Sequence, residues 1–484
     1  MEESSNGELI FIPWPVMGHV QIVEFANLIV HRQTTISPGT RKLSVTVLLM
    51  KLPDYVDTVS GSFMDKLTND HSPGVSFFHL PPTEAAPEWS SKTRGYFIHN
   101  LVLSQRSNVA EFIRSSNAVS VVVDMLCTPM IDVAEEFNLP SYVFFTSPAS
   151  FLGAMLHFQV LHDEKNQDVC ELKNSGSDLQ IPSLANPFPP EALPLVLVEK
   201  ELWLDRFLHY ARDYRRAKGI IINTFAELES FALDSFSQDS AYGPSMTSPI
   251  FAVGPILNRT PSSDSRSSEI IQWLDEQPPR SVVLVCFGSQ GSLHADQVKE
   301  LAHGLELSGH RFLWALRRQS PNEKLAVFPS EYFSHAEVLP DGFLDRTSGI
   351  GKVVGWVPQL DVLSHESVGG FVSHCGWNSV LESVWCGVPI ATWPLHAEQQ
   401  MNAFQVARDL GLGVEIALSY HERCKEGEMV KRFEVERQIR ELMDGESEAR
   451  KRMKKMSEKS RICVMEGGSS YNQLGRLITK FLLN

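Results

Sequence analysis

Residues 356–399 read WVPQLDVLSHESVGGFVSHCGWNSVLESVWCGVPIATWPLHAEQ. Val368 to Val372 is a compact apolar run beside glycines, the pattern of a short strand buried between helices. His374 to Ser379 then reads as a turn, and Val380 to Cys386 continues at helical spacing until Gly387 and Pro389 stop it. A helix N-terminus following a strand directly leaves unpaired N–H groups and the positive end of a helix dipole beyond the sheet, which suits a phosphate. His374, Asn378 and Ser379 add polar side chains there. Upstream, Trp356 offers a flat face for a base and Gln359 a partner for a base edge or ribose. Glu382, one turn into the helix, could accept both ribose hydroxyls, while Glu398 and Gln399 suit sugar hydroxyls. Each residue also has a plainer role: Ser379 and Glu382 fit a capping box, Trp356 the core, and His374 an interior hydrogen-bonded histidine. Their combination at fixed spacing favours a nucleotide-sugar site.

This stretch closely resembles the signature box of plant family 1 glycosyltransferases, enzymes that move a sugar from a UDP-sugar to a small hydrophobic acceptor. The Trp start, the HCGWNS core, the LES helix and the EQ end are all present. The resemblance implies that Trp356 stacks on uracil, that the backbone of Val357 and the side chain of Gln359 hold the base, and that Glu382 binds the ribose. It assigns the diphosphate to His374, Asn378 and Ser379, and the sugar to Trp377, Glu398 and Gln399. A final Gln goes with glucose. His396 departs from the family, where a Tyr or similar residue is common at that position.

The chain has 484 residues, more than one ordinary core, with 43% hydrophobic residues. A net charge of −15 argues against a polyanion-binding surface, and the basic run at 451–456 reads as a solvated helix face. Cys127, Cys170, Cys286, Cys375, Cys386, Cys424 and Cys463 show no zinc-type spacing, and their odd number and dispersion fit reduced thiols. MEESSNGE lacks the basic and apolar regions of a signal peptide, and no apolar run approaches the ~20 residues needed to cross a bilayer. A cytoplasmic, monomeric protein without nucleic-acid or membrane partners is expected.

Strands are expected at 9–13, 43–50, 75–80, 119–123, 142–146 and 219–224, the last closing the first sheet, with helices at 19–31, 96–115, 125–137 and 151–162 between them. Strands at 282–287, 312–316, 352–355 and 411–417 repeat the pattern around the signature stretch, and helices at 430–465 and 469–483 close the chain. The segment 163–194 reads mostly as loop, and 317–333 as a polar segment. Alternation of this kind implies an α/β fold with parallel sheets covered on both faces. The resemblance implies the GT-B arrangement, two Rossmann-like domains facing a cleft. Residues 1–245 would form the acceptor domain, 246–268 a Ser- and Pro-rich linker, 269–460 the UDP-sugar domain, and 461–484 a helix returning to the first domain. GIIINTFAELES (219–230) and FAVGPI (251–256) are further family-like stretches.

An acceptor hydroxyl needs a base, and a histidine suits that task. His19 follows the first strand, and Asp124 ends a strongly apolar one; both fall at the edge where ligands gather. Asp124 could hold one ring nitrogen of His19, fixing its tautomer. Spacing alone favours a plain helix-capping role for each. The family resemblance makes them base and supporting acid in an inverting displacement, with Gly18 and Thr146 among the residues that bind the UDP-sugar and Ser289, in the turn 288–291, as a further phosphate donor. No ligand cluster calls for a metal, and no tightly bound cofactor is expected, the UDP-sugar being a co-substrate. Trp14, Met17, Ile98, Leu126, Phe145, Phe151 and Phe188 are candidates to line a pocket for a flavonoid or other phenolic. A nicotinamide-dependent oxidoreductase is the first alternative, weakened by PWPVMGHV in place of GxGxxG after the first strand. A non-catalytic nucleotide-binding protein is the second, and loss of His19 or Asp124 would be its mark.

Overall fold

The computed structural model describes residues 7–36, 42–52, 72–83, 94–237, 241–243, 248–258, 265–319, 330–421 and 429–483. In the first half lie β1 (Gly7–Ile12), β2 (Leu43–Leu49), β3 (Val75–His79), β4 (Ala118–Asp124), β5 (Ser141–Phe145), β6 (Gly219–Ile222) and β7 (Ile250–Ala252). They form one seven-stranded sheet in the order β3-β2-β1-β4-β5-β6-β7. In the second half, β8 (Val282–Cys286), β9 (Arg311–Ala315), β10 (Gly351–Val354), β11 (Val368–Ser373), β12 (Ile390–Thr392) and β13 (Gly413–Glu415) form a six-stranded sheet in the order β10-β9-β8-β11-β12-β13. Every pairing in both sheets is parallel. The reason is visible in the strands themselves: β5, β8 and β11 are buried at every position, as they must be with helices on both faces.

Each sheet reverses its winding between two central strands, β1 and β4 in the first and β8 and β11 in the second. Loops leaving the C-terminal ends of such a pair diverge and open a crevice, the usual ligand position in doubly wound sheets. His19 follows β1 and Asp124 ends β4; Ser289 and His374 follow β8 and β11. The same topological rule thus places both halves of the candidate site.

Several expectations are corrected. The strand 219–224 does not close the first sheet: Ile250–Ala252 pairs with it, Ile220 opposite Ile250, so the sheet continues into the stretch assigned to the linker. Buried apolar side chains at Phe251 and Val253 put that Pro-flanked segment in the core. The helix read over 96–115 is two helices, Arg94–Ser104 and Arg106–Arg114. They divide at Gln105, which is buried and donates from Nε2 to the Pro81 carbonyl at 3.1 Å. The helix expected from Met125 starts only at Pro129, because Leu126 N–H turns back to the Asp124 carboxylate at 2.9 Å. A further helix, Asp205–Arg216, lies where no element was expected. Most of the polar segment 317–333, and Cys424, lie outside the described residues.

The terminal helix Ser469–Leu483 places Leu474, Leu477, Ile478 and Phe481 in one apolar cluster with β1, β2 and the helix Gln21–Ile36. No helix among the described residues is long and apolar enough to cross a membrane.

Candidate active site

His19 ends a single 3-10 turn, Met17–His19, between β1 and the helix Gln21–Ile36, rather than opening the helix. Its Nδ1 lies 2.7 Å from Asp124 Oδ2. Asp124 is the last residue of β4 and has no exposed surface, and its other oxygen accepts the Leu126 N–H. Neither residue caps a helix; the helix after β4 is preceded by Thr128. A carboxylate only accepts, so the proton of this bond sits on Nδ1 and Nε2 keeps its lone pair. Thr146 Oγ1 lies 3.3 Å from the same Nδ1 and 3.2 Å from the Met125 sulfur.

The opposite wall comes from the second half. After β11 the chain passes through Cys375 at a φ of 63° and Gly376, and the helix Trp377–Cys386 begins. Ser379 is therefore inside the first turn, and no side chain caps this helix start, so the capping-box reading fails. The first-turn N–H groups are left for a ligand. The His374 ring is wedged between two glycines: a Cβ on either Gly288 or Gly376 would stand 2.6 Å from its Nε2. This close approach explains the GS turn after β8 as well as the HCG sequence. Burial, with His396 as a smaller repulsive neighbour, lowers His374 to about 3. A neutral imidazole, its Nδ1 buried without a partner, faces the helix start.

Glu382 and Gln359 meet directly. Gln359 Nε2 donates to Glu382 Oε2 at 2.6 Å and to Ser379 Oγ at 2.9 Å. Burial pushes the Glu382 carboxyl up to about 7, and the Gln359 bond only partly offsets it. Trp356 stays 39% exposed, presenting an open ring face, whereas Val357 is buried. Gln399 Oε1 accepts the N–H groups of Leu395 and His396 at 2.9 and 3.0 Å, which turns its amide nitrogen away from that bend. Ser289 is half-buried in the turn after β8.

Hydrogen bonds join the walls. Asn378 Nδ2 donates to the Gly18 carbonyl at 3.0 Å, tying the first helical turn to the residue before the base. Glu398 Oε1 accepts from Ser147 Oγ at 2.9 Å. Trp377 donates from its indole nitrogen to the Asn223 carbonyl at 2.8 Å and is 2% exposed, so its ring serves this junction and only its backbone remains for a ligand. Ser147 and Asn223, together with Glu229 and Gln405, which meet across the same junction at 2.8 Å, are residues that the sequence did not single out. Two of them lie in the family-like stretch 219–230, which was the available signal. The proposed pocket residues fare less well: Phe145, Phe151 and Phe188 are at most 1% exposed and pack within the main apolar cluster. Phe145 on β5 and Phe151 on the helix after it fill core, and the Phe188 ring packs on Phe404 of the second half at 4.9 Å between centroids; the Met17 side chain lies outside the described residues.

Residues 257–427 match the family described as UDP-glucoronosyl and UDP-glucosyl transferase. Over 491 residues the chain is 46% identical to UDP-glucose flavonoid 3-O-glucosyltransferase 6 of Fragaria ananassa, covering 97% of this chain and 98% of that one. The chain belongs to the plant family 1 UDP-glycosyltransferases. Among solved structures of this family, a Medicago truncatula enzyme complexed with UDP-glucose superposes with a TM-score of 0.84 at 36% identity, covering 99% of each chain. A Phytolacca americana enzyme complexed with UDP-2-fluoro-glucose and pterostilbene gives 0.81 at 30% identity, over 98% of this chain and 99% of that one. This family 1 enzyme therefore has the GT-B fold and transfers sugar from a UDP-sugar, which removes the oxidoreductase and the non-catalytic alternatives. Among the described residues, no group of three or more His, Cys, Asp or Glu could hold a metal ion.

Proposed function

We propose that this enzyme transfers glucose, with inversion, from UDP-glucose to a hydroxyl of a small phenolic acceptor such as a flavonoid, with His19 as general base. The observation that carries the reading is the 2.7 Å bond from His19 to a fully buried Asp124. It leaves Nε2 as the free basic nitrogen, and the imidazolium formed on taking a proton is balanced by the carboxylate. The bond from Asn378 to Gly18 sets that base against the uncapped helix start. A diphosphate held there by N–H groups, with His374 and Ser379, has its departing charge stabilised as the glycosidic bond breaks. The acceptor oxygen forms the new bond as its proton passes to His19, and UDP leaves. Attack from the side opposite UDP gives a β-glycoside from an α-linked donor.

In this reading Trp356 stacks on the base, Val357 and Gln359 hold its edge, Glu382 takes the ribose, and Glu398 and Gln399 take the sugar. The relatives support glucose and a phenolic by their names: one is a flavonoid 3-O-glucosyltransferase, and another was solved with pterostilbene. The base and phosphate roles need no metal, and the enzyme acts in the cytoplasm as a monomer. The deciding experiment follows UDP release and product NMR over a panel of phenolic acceptors with UDP-glucose and UDP-galactose. β-Glucosides are expected; retained anomeric configuration would rule out the single displacement.

A further inference from the structure

A carboxylate that the proposed chemistry does not use lies at the junction of the two halves. Glu229 is 2% exposed and follows the turn after β6. Its Oε2 accepts the Ala149 N–H at 2.9 Å, and its Oε1 accepts the Ser150 N–H at 3.0 Å. These are the first two residues of the helix Ala149–Asp163, preceded by Pro148, which offers no side-chain cap. Glu229 supplies the missing acceptor, and its charge suits the positive end of that helix.

The third bond comes from the other half. Gln405 Nε2 donates to Glu229 Oε1 at 2.8 Å, and Gln405 Oε1 accepts from Ser150 Oγ at 3.1 Å. Both ends of one amide are thus held by the first half. Gln405 directly follows the helix Gln399–Phe404 and begins five residues wound as a π-helix. At the other end of the same helix, Glu398 accepts from Ser147. The helix carrying the sugar-binding pair is fastened at both ends to the segment 146–150, which starts with the hydroxyl beside His19.

We infer that Glu229, through Gln405, is a positioning residue for transfer, fixing the sugar-binding helix of the second half against the acceptor base of the first. The inference rests on the reading that the acceptor meets the sugar between His19 and Gln399. A plain capping role predicts something different. Removing a cap loosens one helix of the first half, whereas a positioning role is lost when only the Gln405 side of the bond is cut. Glu229 touches neither reactant, so UDP binding should be indifferent to it and turnover should not.

The test uses Gln405→Met, which keeps length and burial, leaves the Glu229 bonds to the Ala149 and Ser150 N–H groups intact, and removes both bonds that Gln405 makes to the first half, to Glu229 and to Ser150 Oγ. With a neutral phenol as acceptor, kcat is expected to fall about 10-fold, since misplacement on the order of 1 Å can cost up to ~10²-fold. The Kd for UDP, measured by calorimetry, should stay within about twofold, because the stacking and phosphate groups are untouched. Glu229→Gln should give the same split with a lower Tm. Combined, the two changes should cost less than the sum of their effects on log kcat, as both break the bond between Glu229 and Gln405. A chlorinated phenol already ionised at the assay pH separates positioning from proton transfer: Gln405→Met should lose turnover on it equally, whereas His19→Ala should recover. Near-wild-type kcat in folded Gln405→Met would overturn the inference, as would a parallel rise in the UDP Kd. If His19→Ala were active on the neutral phenol while Gln405→Met was slow, the base assignment would fail and the positioning role would stand.

Discussion

Replacing Asp124 by Asn changes one atom in a fully buried side chain, and the structure shows why no orientation of the amide can succeed. Asp124 accepts on both sides, from His19 Nδ1 at 2.7 Å and from the Leu126 N–H at 2.9 Å. If the amide nitrogen faces the ring, the Nδ1 proton must move to Nε2 and the basic lone pair is lost to the cleft. If the oxygen faces the ring, the amide nitrogen points at the Leu126 N–H, and two donors oppose each other in the interior. The first outcome removes the base; the second costs about 1–3 kcal/mol for an unsatisfied buried donor. kcat on a neutral phenol should fall by roughly 10²–10⁴-fold, the range of general-base contributions. The Kd for UDP should change little, because the residues proposed to hold the nucleotide lie on the second half. His19→Ala should reach a similar floor, and the double substitution should be scarcely slower than either single one, since Asp124 acts only through His19. Stopped assays of UDP release with calorimetric UDP titrations give all four corners of the cycle. Strict additivity in log kcat would refute the dyad, and so would a folded Asp124→Asn enzyme with unaltered turnover.

Trp356→Ala removes the exposed stacking face; loss of one base stack, about 1–3 kcal/mol, predicts a rise in UDP-glucose KM of roughly 5- to 150-fold with kcat nearly kept. A KM equal to wild type would place the base elsewhere. Gly376→Ala puts a Cβ 2.6 Å from His374 Nε2, so the ring must move; UDP affinity should drop about 10-fold, the worth of one displaced hydrogen-bonding group, and thermal shift with and without UDP will read it. Exhaustive chelation should leave turnover unchanged, and loss restored by a divalent cation would show that the helix start does not suffice for the diphosphate.

The alternation of buried strands and helices made both sheets readable, because a strand covered on two faces must be apolar along its length. The seventh strand was missed for a physical reason: Ile250–Ala252 is a three-residue segment, too short for periodicity to show, and it is recruited by pairing with Ile220–Ile222. The positions of candidate residues on a strand end or in the following turn were legible, since topology alone delivers His19, Asp124 and His374 to the switch points. The contacts that join the halves were not. Asn378 meets Gly18 across 360 positions and Gln405 meets Glu229 across 176, and nothing local in either partner indicates the other. The indole of Trp377 shows the same limit, because its use at Asn223 depends on how the domains dock.

Burial of Glu382 and His374, both proposed donor-site residues, costs the fold stability, and the cost has a pH signature. Burial raises the Glu382 carboxyl from 4.5 to about 7. Between those values the folded chain holds a proton that the unfolded chain has released, so this group's contribution to stability is full below 4.5 and lost as pH rises to about 7. His374 is lowered from 6.5 to about 3, so its contribution is full above 6.5 and lost as pH falls towards 3. The two slopes oppose each other where the windows overlap. With Glu382 proposed to accept from the ribose hydroxyls in its ionised form, UDP should bind more tightly as pH rises through about 7. Glu382→Gln, a neutral isostere, should bind UDP more weakly at high pH, flatten this dependence of Kd, and remove the downward stability slope between 4.5 and 7. A Kd that tracks pH equally in wild type and Glu382→Gln would transfer the titration to another group and release Glu382 from the ribose.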